Sequence, residues 1–177
     1  MVIKLLSILL ILVPAWAESA GGIQWNAPST WKAQPQRPMR AATYAVPAVA
    51  GEEDAECAVF YFGPGQGGGV DVNISRWLGQ FEGGASVTPK TRKQSVNGLN
   101  VTTVQHSGTY LAGAPMAPVK TPKPGYRLIG SIVEAPEGNV FFKMTGPAKT
   151  FASALSAFEK MVSTLERKGP RSPAPSR

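Results

Sequence analysis

Between Val70 and Phe81 the apolar residues Val70, Ile74, Trp77, Leu78 and Phe81 recur at three- and four-residue spacings, while Asp71, Asn73, Arg76 and Gln80 fall elsewhere. That spacing is the period of one helix face and predicts an amphipathic helix over 70–81, stopped by Gly83-Gly84. A second stripe of Phe151, Leu155, Phe158, Val162 and Leu165 predicts another helix. Pro147 sits near its start, where a missing N–H costs little.

Outside these stripes the pattern is that of strands. Ile23 to Pro28 is a short extended piece whose Trp25, like the following Trp31, calls for burial, and it is expected at the edge of the sheet. Met39 to Val46 and Glu56 to Phe62 read as two strands joined through the acidic turn Gly51 to Asp54, the second ending at the glycine cluster Gly63 to Gly69. Lys90 to Val96 and Leu99 to Tyr110 flank Asn97-Gly98, the dipeptide that suits the left-handed dihedrals of a tight hairpin turn. Residues 111–125 hold four prolines and predict a long loop. Tyr126 to Ala135 and Asn139 to Thr145 make a further hairpin around Pro136-Glu137-Gly138. Hairpin connections imply antiparallel pairing, so the expected class is α+β, an antiparallel β-sheet flanked by two amphipathic helices.

The termini have another character. Lys4, the uncharged run Leu5 to Val13 and the small-residue site Ala15-Trp16-Ala17 have the layout of a secretory signal, with cleavage expected after Ala17. The run is too short for a bilayer span, which needs roughly 20 residues. The expected organisation is a signal peptide over 1–17, a flexible leader over 18–22, one α+β domain over 23–167 and a disordered basic tail over 168–177. The expected location is periplasmic or secreted, with no transmembrane segment. Cleavage removes Lys4 and leaves 17 basic against 11 acidic residues, a formal charge of +6. These basic residues are scattered without an aromatic-interleaved stripe, which argues against specific nucleic-acid binding and leaves room for weak contact with an anionic surface. The single cysteine, Cys57, rules out an intramolecular disulfide, and its apolar strand suggests an inert, buried thiol.

Candidate chemistry is sparse. The glycine cluster before the first helix suggests a phosphate loop, but Val70 and Asp71 stand where the essential Lys-Ser/Thr would follow. A flexible loop is the expectation there, with Asp71 as a helix cap. His106 is the only histidine, and neither it nor Ser107 lies in a known nucleophile motif. One His and one Cys do not make a zinc or iron site, and Glu52, Glu53, Asp54 and Glu56 lack the spacing of a calcium loop. No catalytic residue, metal or cofactor is implied.

Two segments carry a resemblance. Asn139-Val-Phe-Phe-Lys-Met-Thr-Gly-Pro147, followed by Phe158 and Leu165, resembles the closing strand and helix of the PsbP-like superfamily, and the order of elements agrees. Gly63 to Phe81 resembles the G-x-G-Q-G-G-x-V-D-x-N-I-x-R-W-x-G-Q-F segment of a group of exported bacterial proteins. The first resemblance implies a PsbP-like α/β/α sandwich, a fold whose members mostly act as accessory or partner-binding proteins without catalysis. The expected function is therefore an exported, non-catalytic binding or accessory protein that meets an unidentified protein or envelope component. Gln66, Asp71, Asn73, Arg76 and Trp77, around the first helix, are the candidate partner-binding residues. Two alternatives stand beside it: a small envelope hydrolase, its site drawn from His106, Ser107 and Tyr110 or from the acidic turn, and a basic module that touches anionic envelope surface through its tail.

Overall fold

The computed structural model describes residues 18–113 and 118–169. The expected signal peptide, residues 170–177 of the expected tail and residues 114–117 of the proline-rich connection lie outside the described residues.

Seven strands form one antiparallel sheet. Strands β1 (Glu18–Ala20) and β2 (Ile23–Trp25) precede it, and it is built from β3 (Lys32–Ala33), β4 (Arg40–Val46), β5 (Ala55–Tyr61), β6 (Thr91–Val96), β7 (Leu99–Ala112), β8 (Thr121–Glu134) and β9 (Val140–Pro147). Their spatial order is β3-β4-β5-β9-β8-β7-β6. The helices are α1 (Val70–Leu78), after β5, and α2 (Ala148–Ser163), directly after β9. A last short strand, β10 (Glu166–Arg167), pairs with β2 in a separate three-stranded sheet, β1-β2-β10.

Alternation along the strands sorts the core into two layers, one on each face of the large sheet. Ile129, Val133, Val140, Phe142 and Met144 pack with Phe151, Phe158, Met161, Val162 and Leu165 of α2 and its C-terminal end. Leu128, Ile132 and Phe141, on the opposite face, pack with Ile74, Trp77, Leu78 and Phe81 of α1 and its exit. The sheet thus lies between two helices, the layering expected from the two apolar stripes. The close approach of α1 depends on Gly130, where an added Cβ would lie 2.1 Å from Cζ3 of Trp77.

Four local expectations change. The leader residues Glu18–Ala20 are strand β1, because Glu18 and Ala20 pair in register with Trp25 and Ile23. β2 is the central strand of the small sheet and not an edge of the large one. Its Trp25 is 1% exposed, donates its indole N–H to the Tyr44 hydroxyl at 2.9 Å and meets Phe142 edge-on. Most of the described part of the proline-rich loop is strand: β7 runs on to Ala112 and β8 starts at Thr121, with Pro122 opposite Leu111. Prolines are tolerated in this arm because β9 begins pairing only at Tyr126, which leaves the outer edge of β8 without a ladder to serve. Lys168, placed in the tail by sequence, donates its backbone N–H to the carbonyl of Gly22 at 2.9 Å. Among the described residues no helix is long and apolar enough to cross a membrane.

Candidate functional site

The glycine cluster is pinned to the fold. Gly63, Gly65, Gly67 and Gly68 all take positive φ angles, and at Gly67 an added Cβ would lie 2.6 Å from Phe62 and 2.9 Å from Phe141. The pin is Asn73, which is 3% exposed. Its Nδ2 donates to the carbonyls of Gly67 and Gly69 at 2.8 and 2.9 Å, and its Oδ1 accepts from Arg76 at 3.1 Å. A side chain from inside the helix thus fixes the loop that leads into it. The helix begins at Gly69 without a side-chain cap, so Asp71 is not the cap that sequence suggested. It lies exposed in the first turn, where a carboxylate favours the helix dipole.

Of the five residues singled out by sequence, Asn73 and Trp77 are buried and hold the helix to the loop and sheet, while Gln66, Asp71 and Arg76 are exposed. Val72 adds an apolar side chain, 57% exposed, to the outer side of the same helix.

The histidine constellation does not assemble. His106 lies edge-on to Phe81, with ring centroids 4.9 Å apart, on the α1 face. Ser107 alternates to the other face, opposite Arg127, whose guanidinium lies over Phe151 of α2. The acidic turn is taken up by partners: Glu52 pairs with Lys149, Glu53 with Lys123 and Tyr126, and Glu56 with Arg37 and Arg40, while Asp54 accepts the Ala48 N–H. Among the described residues no group of three or more His, Cys, Asp or Glu side chains could hold a metal. Burial pushes the Cys57 thiol well up, which makes it a poor nucleophile.

Sequence reasoning missed a cluster of polar side chains on the α1 face, beyond the C-terminal end of the helix. Lys143 and Thr145 project from β9 on this face, Lys143 opposite Ala58 and Gly130, and Thr145 opposite Glu56 and Leu128. The Lys143 ammonium donates to Oε1 of Gln80 and lies 5.7 Å from the centre of the Tyr110 ring. Among the described residues it has no carboxylate partner, and burial brings its pKa down to about 8, with Glu56 pulling it up and Arg40 pushing it down. Tyr110 stacks on Tyr126 at 5.8 Å, and its hydroxyl is raised chiefly by burial, with Glu56 and Arg40 acting on it in opposite senses. Phe60, under the Arg40 guanidinium at 5.3 Å, borders the same area. The Thr145 hydroxyl is buried and has no hydrogen-bond partner among the described residues.

No family model and no curated protein matches the chain. Among solved structures it is similar to the solution structure of cyanobacterial PsbP (CyanoP) from Synechocystis sp. PCC 6803, with a TM-score of 0.55 and 10% identity, covering 92% of this chain and 98% of that one. At that identity the likeness is one of fold, and near-complete coverage of both chains makes it a likeness of the whole architecture. The antiparallel sheet with one helix on each face is a PsbP-like α+β fold.

Proposed function

We propose that the protein is an exported, non-catalytic accessory protein that captures a protein or envelope component on the outer surface of α1 and its glycine loop. The observation that carries this reading is the combination of exposure and rigidity there. Gln66, Asp71, Val72 and Arg76 stand in solvent on a loop and helix whose backbone is held by Asn73 and by Gly67, where a side chain would clash with Phe62 and Phe141. A surface ordered before binding loses less conformational freedom on association. The PsbP-like fold supports the accessory role as analogy, because a fold alone does not assign a function. Export is consistent with β1: cleavage after Ala17 leaves the chain starting at Glu18, so the three-stranded sheet survives processing intact.

The test is affinity capture from native envelope extract at low and moderate salt, with the wild-type protein and a Gln66→Ala/Arg76→Ala double variant. Both positions are exposed, and loss of the Arg76 bond to Asn73 leaves Asn73's two bonds to the glycine loop in place, so the variant should fold. It is expected to lose a stoichiometric protein that the wild type retains at moderate salt. Equal retention by both would overturn the assignment of this surface. N-terminal sequencing of the native protein should begin at Glu18, and recovery of an uncleaved chain would overturn export with processing.

A further inference from the structure

We propose that the outer edge of β6 is a docking site for an extended acidic segment of a partner protein, which adds a strand to the large sheet while its carboxylates meet Lys90, Arg92 and Lys93. This surface stands on different residues from the outer side of α1 and does not depend on partner capture there.

Two independent observations carry it, and the first is an open ladder. β6 ends the seven-stranded sheet and pairs only with β7, from Thr91 opposite Val104 to Val96 opposite Leu99. Residues of an antiparallel strand turn their N–H and C=O groups alternately to its two sides, so the outer side of β6 keeps a row of backbone donors and acceptors. Among the described residues no strand or loop takes them up. Thr91, Arg92, Lys93 and Ser95 are exposed, so another chain can approach. The opposite edge, β3, is only two residues long and offers no comparable ladder. The β6 edge is also held in place. Asn97, in the turn that closes its hairpin, donates to the carbonyl of Leu165 at 2.8 Å, and Arg167 donates to that of Gly98 at 2.9 Å. A strand fixed beforehand loses little freedom when another is added.

The second observation is a segregation of charge. Residues 83–133, which include β6, β7 and all of β8 but Glu134, contain Lys90, Arg92, Lys93, Lys120, Lys123 and Arg127 and no Asp or Glu. The rest of the chain from Glu18 on holds eleven basic and eleven acidic residues, so residues 18–177 owe their net charge of +6 to this part of the sheet. Lys123 is paired with Glu53, and Arg92 with Glu159 at 3.7 Å; the second pair joins exposed side chains and is easily exchanged. Lys90 and Lys93 have no ion pair among the described residues. Arg92 lies opposite Thr103 and Lys93 opposite Thr102, which puts a cation on each face of the edge.

Together these observations select the occupant. A lipid headgroup or a nucleic-acid phosphate would meet the cations and leave the ladder to water, whereas a polypeptide completes both. A second copy of this chain would set one basic edge against another, with like charges facing across the strands. Charged edges commonly guard against self-pairing. A guard of mixed sign would serve that end equally, and the single sign also decides which partner is admitted.

The experiment is a titration of the purified protein with an acetylated hexapeptide amide of alternating valine and glutamate, followed by amide NMR and hydrogen exchange. Shifts are expected along Thr91–Val96, with added protection at the amides that point away from β7. The same peptide with every backbone amide N-methylated keeps its carboxylates and loses its donors. It should bind at least tenfold more weakly, because each ladder hydrogen bond is worth roughly 2- to 12-fold. A valine–lysine peptide should not bind. Arg92→Glu/Lys93→Glu should weaken the glutamate peptide by about tenfold, and added salt should weaken it further. Both positions are exposed, and the methylated peptide tests the ladder without altering the protein. Phosphatidylglycerol vesicles and an oligothymidylate serve as competing anions. Equal binding of the methylated and unmethylated peptides, tighter binding of vesicles or oligonucleotide at β6, a dimer of the protein paired through β6, shifts centred elsewhere, or no shift with any probe would overturn the proposal.

Discussion

The two faces of the large sheet are closed to different degrees. On one face α2 runs for 16 residues and meets strands whose inward side chains are almost all aliphatic or aromatic. On the other, α1 has only 9 residues, and the strand positions beyond its end carry Lys143, Thr145, Glu56 and Tyr110. A helix covers about 1.5 Å of sheet per residue, so the shorter one leaves a stretch of roughly 10 Å that side chains must finish. The sealed face stores stability, and the half-sealed face is finished with polar side chains, some of them buried.

The sharpest way to break this contrast is to cut the same kind of hole in each layer. Phe158, 0% exposed on α2, should cost about 3–5 kcal/mol when replaced by alanine, and urea denaturation should show one global transition moved to lower concentration. Leu78→Ala under α1 belongs to the same class of change, but hydrogen exchange should show α1 opening before the amides of β8 and β9. If both variants expose the whole sheet together, the two layers are not separable. Gly130→Ala tests the α1 layer from beneath. Its methyl would have to displace the Trp77 ring, at an expected cost of about 1–3 kcal/mol, with altered near-ultraviolet circular dichroism as α1 lifts.

Smaller still is the effect expected at Asn73. Replacing it with alanine removes the hydrogen bonds to Gly67, Gly69 and Arg76, for about 1–2 kcal/mol. The measured sign should be faster proteolysis within Gly63–Gly69, with the α2 side unchanged. An Asn73→Ala protein as protease-resistant as wild type would mean that the glycine dihedrals alone hold the loop.

What the sequence made legible follows from periodicity. Ile74, Trp77 and Leu78 announce a helix face by spacing alone, as Phe151, Phe158 and Val162 do, and Asn97-Gly98 announces its hairpin. The elements that escaped depend on partners distant in the chain. β1 and β10 are three and two residues long and exist because β2 lies between them. The rigid glycine loop escaped because its pin, Asn73, looks in sequence like a polar residue on the outer side of a helix. Of the surface proposed on α1, the exposed members Gln66, Asp71 and Arg76 were readable from the sequence. The polar cluster around Lys143 was hidden because its members come from β4, β5, β7, β9 and the turn after α1. One signal for it was present: in Val-Phe-Phe-Lys-Met-Thr, Lys143 and Thr145 interrupt an apolar strand at two positions that share a face.

Lys143 supplies the finest test of the difference between the faces, because its expected effect changes with pH. Burial lowers its pKa to about 8 in the folded protein, against about 10.4 in an unfolded chain. Between these values the unfolded state binds more protons, so this group makes the folded state more stable as pH rises from about 8 towards 10.4. Below about 8 the folded protein carries the full cost of a charged, half-buried lysine. Lys143→Met removes that cost and also the bond to Gln80, so near pH 7 the two changes oppose each other and the net shift should be small. As pH rises above 8 the wild type should gain on the variant, by at most about 1.4 kcal/mol per pH unit, in denaturant melts run in parallel. Tyr110 and the other tyrosines titrate in both proteins and cancel in the difference. A difference that stays flat from pH 7 to 10 would mean that Lys143 keeps an ordinary lysine's pKa, and that the α1 face is as open at this point as free solvent.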